Sequence, residues 1–194
     1  MEHKSIISIR PRDRLLRAAA SVWAADPSAS LETVAAAAGV GRATLHRHFP
    51  TRIDLMRAAA LDGLAALADA VEMVTAAATS PGATLDALID ALVPFGDRLH
   101  FLLVTQELLG DAALQRAEAQ IDGPVRRVLD EAAAAGALRS DVPSAWRFRA
   151  LEALLYAAWT AVAEGEVARR DAPRLVREAF RRGFGSGSTE GSAS

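Results

Sequence analysis

The segment from residue 30 to residue 54, SLETVAAAAGVGRATLHRHFPTRID, restricts the fold more than any other part of the chain. It holds two short helical patterns separated by Gly39-Val40-Gly41. Ser30 is a suitable N-cap for the first helix, and Gly39 can adopt the left-handed conformation that ends it. Two short helices joined by a glycine-containing turn are the layout of a helix-turn-helix motif, whose second helix enters the major groove of DNA.

The second helix of this motif is predicted over Arg42–Phe49. Leu45 and Phe49 lie four residues apart and should face the core together, which leaves the other side chains towards solvent. Residues 42–44 lie at the helix start, where side chains reach base edges, and residues 46–52 are placed to hold phosphates. The full set of predicted DNA contacts is Ser30, Thr33, Arg42, Ala43, Thr44, His46, Arg47, His48 and Arg52.

A longer helix is predicted to follow directly. Thr51 and Asp54 have the spacing of a capping box, so a new helix should begin at Arg52, and its apolar periodicity continues to Ala78. A helix of this length spans roughly 40 Å. It could therefore transmit motion between the DNA-binding end and the rest of the protein.

Composition favours an all-α protein. Of the 194 residues 51% are hydrophobic, much of this is alanine, and aromatic residues make up only 5%. The absence of cysteine excludes disulfides, thiolate zinc sites and a cysteine nucleophile. We find neither a signal-peptide pattern nor an apolar run long enough to span a membrane, so we expect a soluble, cytoplasmic protein.

Charge differs between the two parts of the chain. Residues 1–57 carry nine Lys or Arg and five Asp or Glu, whereas residues 58–194 carry thirteen and nineteen. The positive part contains the helix-turn-helix motif, as attraction to phosphates requires. We predict a DNA-binding domain over residues 1–57, a second helical domain over residues 58–184, and a disordered Gly/Ser-rich tail over residues 185–194.

The second domain should contain the remaining helices, giving about nine in all. We predict a short helix that Thr84 begins, an interruption by Pro94 and Gly96 with a helix that continues from Phe95, and a turn over residues 136–143 before a helix capped by Ser144. The predicted ranges are Leu85–Val93, Phe95–Leu109, Ile121–Ala135, Ser144 to about Ala163, and Ala172–Phe184.

The sequence resembles the tetracycline repressor (TetR) family of bacterial transcriptional regulators. The matching segments are Arg14-Leu15-Leu16 with Ala18-Ala19, Leu31-x-x-Val34-Ala35-x-x-Ala38-Gly39-Val40, and Thr44-Leu45-x-x-His48-Phe49 followed by Arg52-x-x-Leu55. The family usually has serine at Gly41, tyrosine at His46 and lysine at Arg52. Because these three positions face DNA, the resemblance does not predict the sequence of the operator.

The resemblance implies a homodimeric repressor that binds a palindromic double-stranded DNA operator and is released by a small molecule, here expected to be apolar or amphipathic. The last two helices would pair with those of a second copy in a four-helix bundle. The alternative is that their apolar stripes cover only the core of one protomer. The residues assigned to the dimer interface are Ala153, Ala157, Ala161, Leu175, Val176 and Phe180.

Polar and aromatic residues in the apolar helices are candidates for the ligand pocket, although such residues also occur as ordinary core or surface groups. We assign to the pocket His100, Leu103, Gln106, Tyr156 and Trp159. No second ligand stands at helical spacing from His100, so neither a metal nor a cofactor is expected.

Two other functions compete with the repressor. An all-α enzyme is disfavoured, because the sequence shows no nucleophile-base pair, metal-ligand cluster or phosphate-binding glycine loop. An architectural DNA binder that responds to no ligand stays open.

Overall fold

A computed structural model describes residues 10–77, 80–103 and 108–186, except for the side chains of Asp97, His100, Leu102 and Leu103. Within these ranges the fold is all-α, as predicted, with nine α-helices and one short 3₁₀ helix, Val93–Phe95. The α-helices are α1 (Pro11–Ala25), α2 (Leu31–Ala38), α3 (Arg42–His48), α4 (Arg52–Ala76), α5 (Pro81–Leu92), α6 (Gly96–Leu103), α7 (Ala112–Ala134), α8 (Ser144–Ala163) and α9 (Ala172–Phe184). No helix in the described part of the chain is long and apolar enough to cross a membrane.

The first three helices pack around a small apolar core. Leu15, Trp23, Val34 and Leu45 are completely buried there. The indole Nε1 of Trp23 donates a hydrogen bond of 3.0 Å to the carbonyl of Ala29, which fixes the loop between α1 and α2. Proline in the first turn of α1 suits the helix start, because the missing N–H would have had no helical partner.

Helix α4 connects this unit to the rest of the molecule. Thr51 and Asp54 form the predicted capping box, with the Asp54 N–H 3.2 Å from the Thr51 hydroxyl and the Thr51 N–H 3.2 Å from the Asp54 carboxylate. Its 25 residues pack against α1 at one end and against α5, α6 and α7 beyond it. The predicted domain boundary after residue 57 therefore falls inside a continuous helix, and one apolar core extends from Leu15 to Phe180.

Two helices begin earlier than predicted. Helix α5 starts at Pro81 rather than at Leu85, because Ser80 caps it and its carbonyl accepts the Thr84 N–H at 2.8 Å. Helix α7 starts at Ala112 rather than at Ile121, because the Asp111 carboxylate accepts two backbone N–H groups of the first turn. In both cases the N-cap lies several residues before the predicted start of the helix.

Other boundaries also differ. The N-cap of α8 is Pro143, with no side-chain capping bond, so the predicted Ser144 cap is wrong by one residue. Helix α6 starts at Gly96, one residue after the predicted Phe95, and its predicted extension runs into residues 104–107, outside the described ranges. Ala78 and residues 187–194 also lie outside them.

Helix α9 is held against α5 by ion pairs. Arg181 contacts Asp86 at 2.8 Å, and Arg177 pairs with Asp90. On the neighbouring side of α9, Val176 and Phe180 are buried in the protomer, and Phe180 stacks on Phe184 with ring centroids 4.9 Å apart. One face of α9 therefore belongs to the core of its own chain.

Candidate DNA interface and ligand cavity

The turn between α2 and α3 has the conformation that its glycine predicts. Gly39 adopts a left-handed conformation (φ 61°), and the N–H of Val40 returns to the carbonyl of Ala35 at 2.9 Å. This arrangement closes the end of α2 and redirects the chain by a fixed angle. Val40 is 8% exposed and fills the corner between the two helices.

Helix α3 has one buried and one solvent-facing side. Leu45 is fully buried and Phe49, directly after the helix, is 5% exposed, as their four-residue spacing predicted. Arg42, Ala43, Arg47 and His48 are exposed, and Thr44 and His46 are half-buried. The helix therefore projects a short polar surface with its N-terminal end open to solvent.

Charge on this surface is partly balanced by α2. The carboxylate of Glu32 lies 3.5 Å from the Arg42 guanidinium and 4.0 Å from His46 Nε2. Both contacts are solvent-exposed and so contribute little to stability. Glu32 therefore reduces the net positive charge at the start of α3.

Three of the predicted DNA contacts also have structural roles. The Ser30 hydroxyl accepts the Thr33 N–H at 3.1 Å and lies 3.0 Å from the Thr33 hydroxyl, so it caps α2 while staying exposed. Arg52 is half-buried: its guanidinium donates to the Pro27 carbonyl and lies 5.3 Å from the ring centroid of Trp23. These interactions direct Arg52 towards the loop between α1 and α2, and its predicted phosphate contact stays a prediction.

A cavity of about 400 Å³ lies among α4, α5, α6, α7 and α8. This volume is within the range of small-molecule sites. Tyr156 and Trp159 contribute aromatic surface, with ring centroids 5.5 Å apart. The aliphatic part of the wall consists of Leu64, Leu67, Leu92, Leu99, Ile121, Val125, Leu151 and Leu155.

Three carboxylates face this apolar space. Glu118 and Asp122 come from one side of α7, and Glu152 comes from α8. Desolvation raises the pKa of Glu118, and the neighbouring charges of Asp122 and Glu152 raise it further. Desolvation also raises the pKa of Asp122, while Arg126 and Arg149 oppose that shift. The cavity is therefore an apolar and aromatic site with excess negative charge.

Trp159 is anchored to the wall of this cavity. Its indole Nε1 donates a hydrogen bond of 2.9 Å to the Val93 carbonyl, and the side chain is 7% exposed. Tyr156 is 43% exposed, and desolvation together with the nearby carboxylates raises the pKa of its hydroxyl. The two aromatic residues thus form a rigid inner wall and a more accessible outer one.

The structure places Tyr156 and Trp159 in this cavity wall, where the sequence had predicted pocket residues. Gln106 and the side chains of His100 and Leu103 lie outside the described residues. Sequence reasoning missed Glu118, Asp122, Arg149 and Glu152. The available signal was the four-residue spacing of Glu118 and Asp122, which puts two carboxylates beside the apolar stripe of α7.

The residues assigned to the dimer interface fall into two groups. Ala153, Ala157 and Leu175 are exposed and Ala161 is half-buried, so this group is accessible to a second copy. Val176 is 3% exposed and Phe180 is fully buried. These two residues pack into the core of their own protomer, which corrects their assignment to an accessible interface.

Comparison with known proteins identifies relatives among bacterial transcriptional regulators. The sequence profile described as "Bacterial regulatory proteins, tetR family" matches residues 15–59, which include the helix-turn-helix motif. The HTH-type transcriptional repressor LfrR of Mycolicibacterium smegmatis is 32% identical over 156 residues, which cover 80% of this chain and 81% of that protein.

Solved structures show the same architecture along most of the chain. The crystal structure of the TetR-like regulator LfrR from Mycobacterium smegmatis in complex with proflavine aligns with a TM-score of 0.76 and 29% identity, covering 89% of this chain and 95% of that one. The TetR regulator SCO0520 from Streptomyces coelicolor aligns with a TM-score of 0.65 and 28% identity, covering 91% and 99%. The chain therefore belongs to the tetR family of bacterial regulatory proteins and is a DNA-binding transcriptional regulator.

Proposed function

We propose that this regulator is a homodimeric repressor that binds a palindromic operator and is released by a planar, cationic aromatic compound. The observation that carries the effector class is the cavity, where Glu118, Asp122 and Glu152 face Tyr156 and Trp159. Aromatic rings stack on a planar ligand, and carboxylates in a partly desolvated site favour a positive charge. The proposal of a planar aromatic cation is more specific than the apolar or amphipathic effector expected from the sequence.

The similarity to LfrR supports this class. LfrR has been crystallised with proflavine, a planar tricyclic dye that carries a positive charge near neutral pH, and its fold aligns along most of this chain. Proflavine is therefore the first compound to test. We propose that the chain acts by binding alone, so proflavine should be recovered unchanged after incubation with the protein.

The proposed operator contact uses the exposed surface of α3. In a dimer the two copies of α3 would enter successive major grooves about 34–36 Å apart. Arg42, Ala43 and Thr44 would read bases from the helix start, while His46, Arg47 and His48 would hold phosphates. Ser30 and Thr33 would add contacts from the start of α2.

Release would follow from a change in the distance between the two copies of α3. The cavity wall includes Leu64 and Leu67 of α4, and the same helix begins directly after the DNA-binding motif. A ligand that prefers a conformer with displaced α4 weakens operator binding by the ratio of its affinities for the two conformers.

Selection of bound sequences from a random duplex library, followed by proflavine titration of the complex, tests this function. We expect a palindromic site to be enriched and its complex to dissociate at proflavine concentrations too low for the dye to bind the same duplex without protein. Binding to every duplex with a steep salt dependence and no enriched site would instead indicate an architectural DNA binder. An enriched site whose affinity proflavine leaves unchanged would contradict the effector class.

The dimer is tested separately by introducing charge on α8. Ala157→Glu should produce monomers in analytical ultracentrifugation, because Ala157 lies between Ala153 and Ala161 on the proposed contact surface. Ala65→Glu, at an exposed alanine of α4, is the matched control and should leave the mass of the assembly unchanged. A dimeric Ala157→Glu protein would place the interface elsewhere.

A further inference from the structure

Arg149 is the one cationic side chain among the described residues that line the cavity. It follows Phe148 on α8, and its guanidinium donates to the Glu152 carboxylate at 2.6 Å. This hydrogen bond and the charges of Glu152 and Asp122 raise the pKa of Arg149. Arg149 therefore already interacts with the acidic groups that a cationic ligand would use.

The electrostatic effect of Arg149 extends beyond Glu152. Its positive charge opposes the rise in the pKa of Asp122 and in that of the Tyr156 hydroxyl. Both of these groups line the cavity. A second positive charge that enters this space must therefore overcome repulsion from Arg149 as well as compete with it for Glu152.

The position of Arg149 allows it to be displaced. Its side chain is 68% exposed, whereas that of Glu152 is 24% exposed, so the arginine approaches the carboxylate from the solvent side. Exposed ion pairs of this kind contribute little to folding, and a long arginine side chain has other conformations in water. Loss of the pair should consequently change ligand binding more than stability.

We propose that Arg149 is an internal competitor of the ligand: it occupies Glu152 in the ligand-free protein and has to release it when a cationic ligand binds. This inference rests on the proposed effector class. It makes Arg149 a specificity-determining residue, because a ligand must carry enough positive charge to replace the guanidinium at Glu152. Removal of Arg149 should tighten the binding of cations and leave the binding of neutral aromatics unchanged.

The test is fluorescence titration of proflavine into the full-length wild-type protein and three variants. Arg149→Met, which keeps much of the aliphatic stem, should bind proflavine about fivefold more tightly, as expected for removing one nearby charge in a solvated site. Arg149→Lys keeps the charge and should stay within about twofold of wild type. Arg174→Met is the matched control, because Arg174 forms a comparable exposed pair with Glu178 at 2.8 Å on α9.

Acridine, titrated under mildly alkaline conditions where it is uncharged, separates charge from shape. Its affinity should be equal for wild type and Arg149→Met. In the Glu152→Gln background the substitution Arg149→Met should lose the part of its effect that comes from competition for the carboxylate, while the part that comes from charge repulsion should remain.

The outcomes distinguish this inference from the effector class. Proflavine binding that Arg149→Met leaves unchanged or weakens would overturn the role of Arg149 while the effector class stands. Failure of both wild type and Arg149→Met to bind proflavine would overturn both. Binding by Arg149→Met alone would support the competition and show that Arg149 excludes this particular cation.

Discussion

Trp159 lies directly against the backbone of Gly96: a Cβ placed on Gly96 would come within 2.4 Å of Trp159 Cδ1 and 3.1 Å of its Cβ. The indole has little room to move, because its Nε1 is bonded to the Val93 carbonyl and the Tyr156 ring packs against it with centroids 5.5 Å apart. The start of α6 is therefore in contact with the same side chain that forms the inner wall of the cavity.

Gly96→Ala should destabilise the protein by about 1–3 kcal/mol, since the added methyl group forces the buried indole or the backbone to shift. The backbone of Gly96 is right-handed, so the effect is steric rather than conformational. Gly183→Ala is the control: it lies in α9 with nothing within 4 Å of the new Cβ and should gain up to about 1 kcal/mol. Urea denaturation measures the free energy of unfolding of both variants. Changes of equal size and the same sign would contradict the close packing of Trp159 on Gly96.

The DNA-binding motif could be predicted from the sequence because its determinants are local. The Ser30 cap, the left-handed Gly39, and the pair of Leu45 and Phe49 each act within a few residues. The direction of Arg52 was not predicted, because it depends on Trp23 and Pro27, which approach only after α1 packs on α4. Local signals therefore determine the motif, and tertiary packing determines which cations face outward.

The carboxylates of the cavity, in contrast, could not be predicted from local sequence signals. Glu118 and Glu152 are separated by more than thirty residues and meet only when α7 packs on α8. Each alone resembles an ordinary solvated glutamate on an amphipathic helix.

The helix starts at Pro81 and Ala112 were missed for another reason. Ser80 and Asp111 are residues that can either end one helix or cap the next. Which of the two occurs depends on the backbone N–H groups that their side chains contact.

Arg42 and Arg47 should have different effects on DNA binding. Arg47→Ala removes an exposed cation late in α3 and should weaken binding to all sequences, lowering the salt slope by about one. Arg42→Ala, at the helix start, should relax the preference at one defined base pair by about tenfold. Arg127→Ala, an exposed arginine of α7, should change neither property. Fluorescence anisotropy with the selected site and single-base variants measures this, and an exchange of the two patterns would reverse the assigned roles.

Thr51→Ala should destabilise the start of α4 by about 1 kcal/mol, since the hydroxyl that accepts the Asp54 N–H is lost. Thr51→Ser keeps the hydroxyl and should stay close to wild type. Because α4 begins directly after α3, hydrogen exchange should show more rapid opening of residues 52–55 in the alanine variant. Unchanged exchange there, together with unchanged urea unfolding, would mean that the capping box adds nothing measurable.

Binding of proflavine should weaken as the pH falls. Desolvation and neighbouring carboxylates raise the pKa of Glu118, and desolvation raises that of Asp122, so both groups take up protons at a higher pH than in water. A protonated carboxyl no longer attracts the dye, which stays cationic over this range. As the pH is lowered, the loss of affinity should therefore begin at a pH above 4.5, the ordinary pKa of a glutamate. Glu118→Gln should bind more weakly near neutral pH and show a flatter profile in the same titration. Affinity that is constant or rises towards acid pH would exclude these carboxylates from binding.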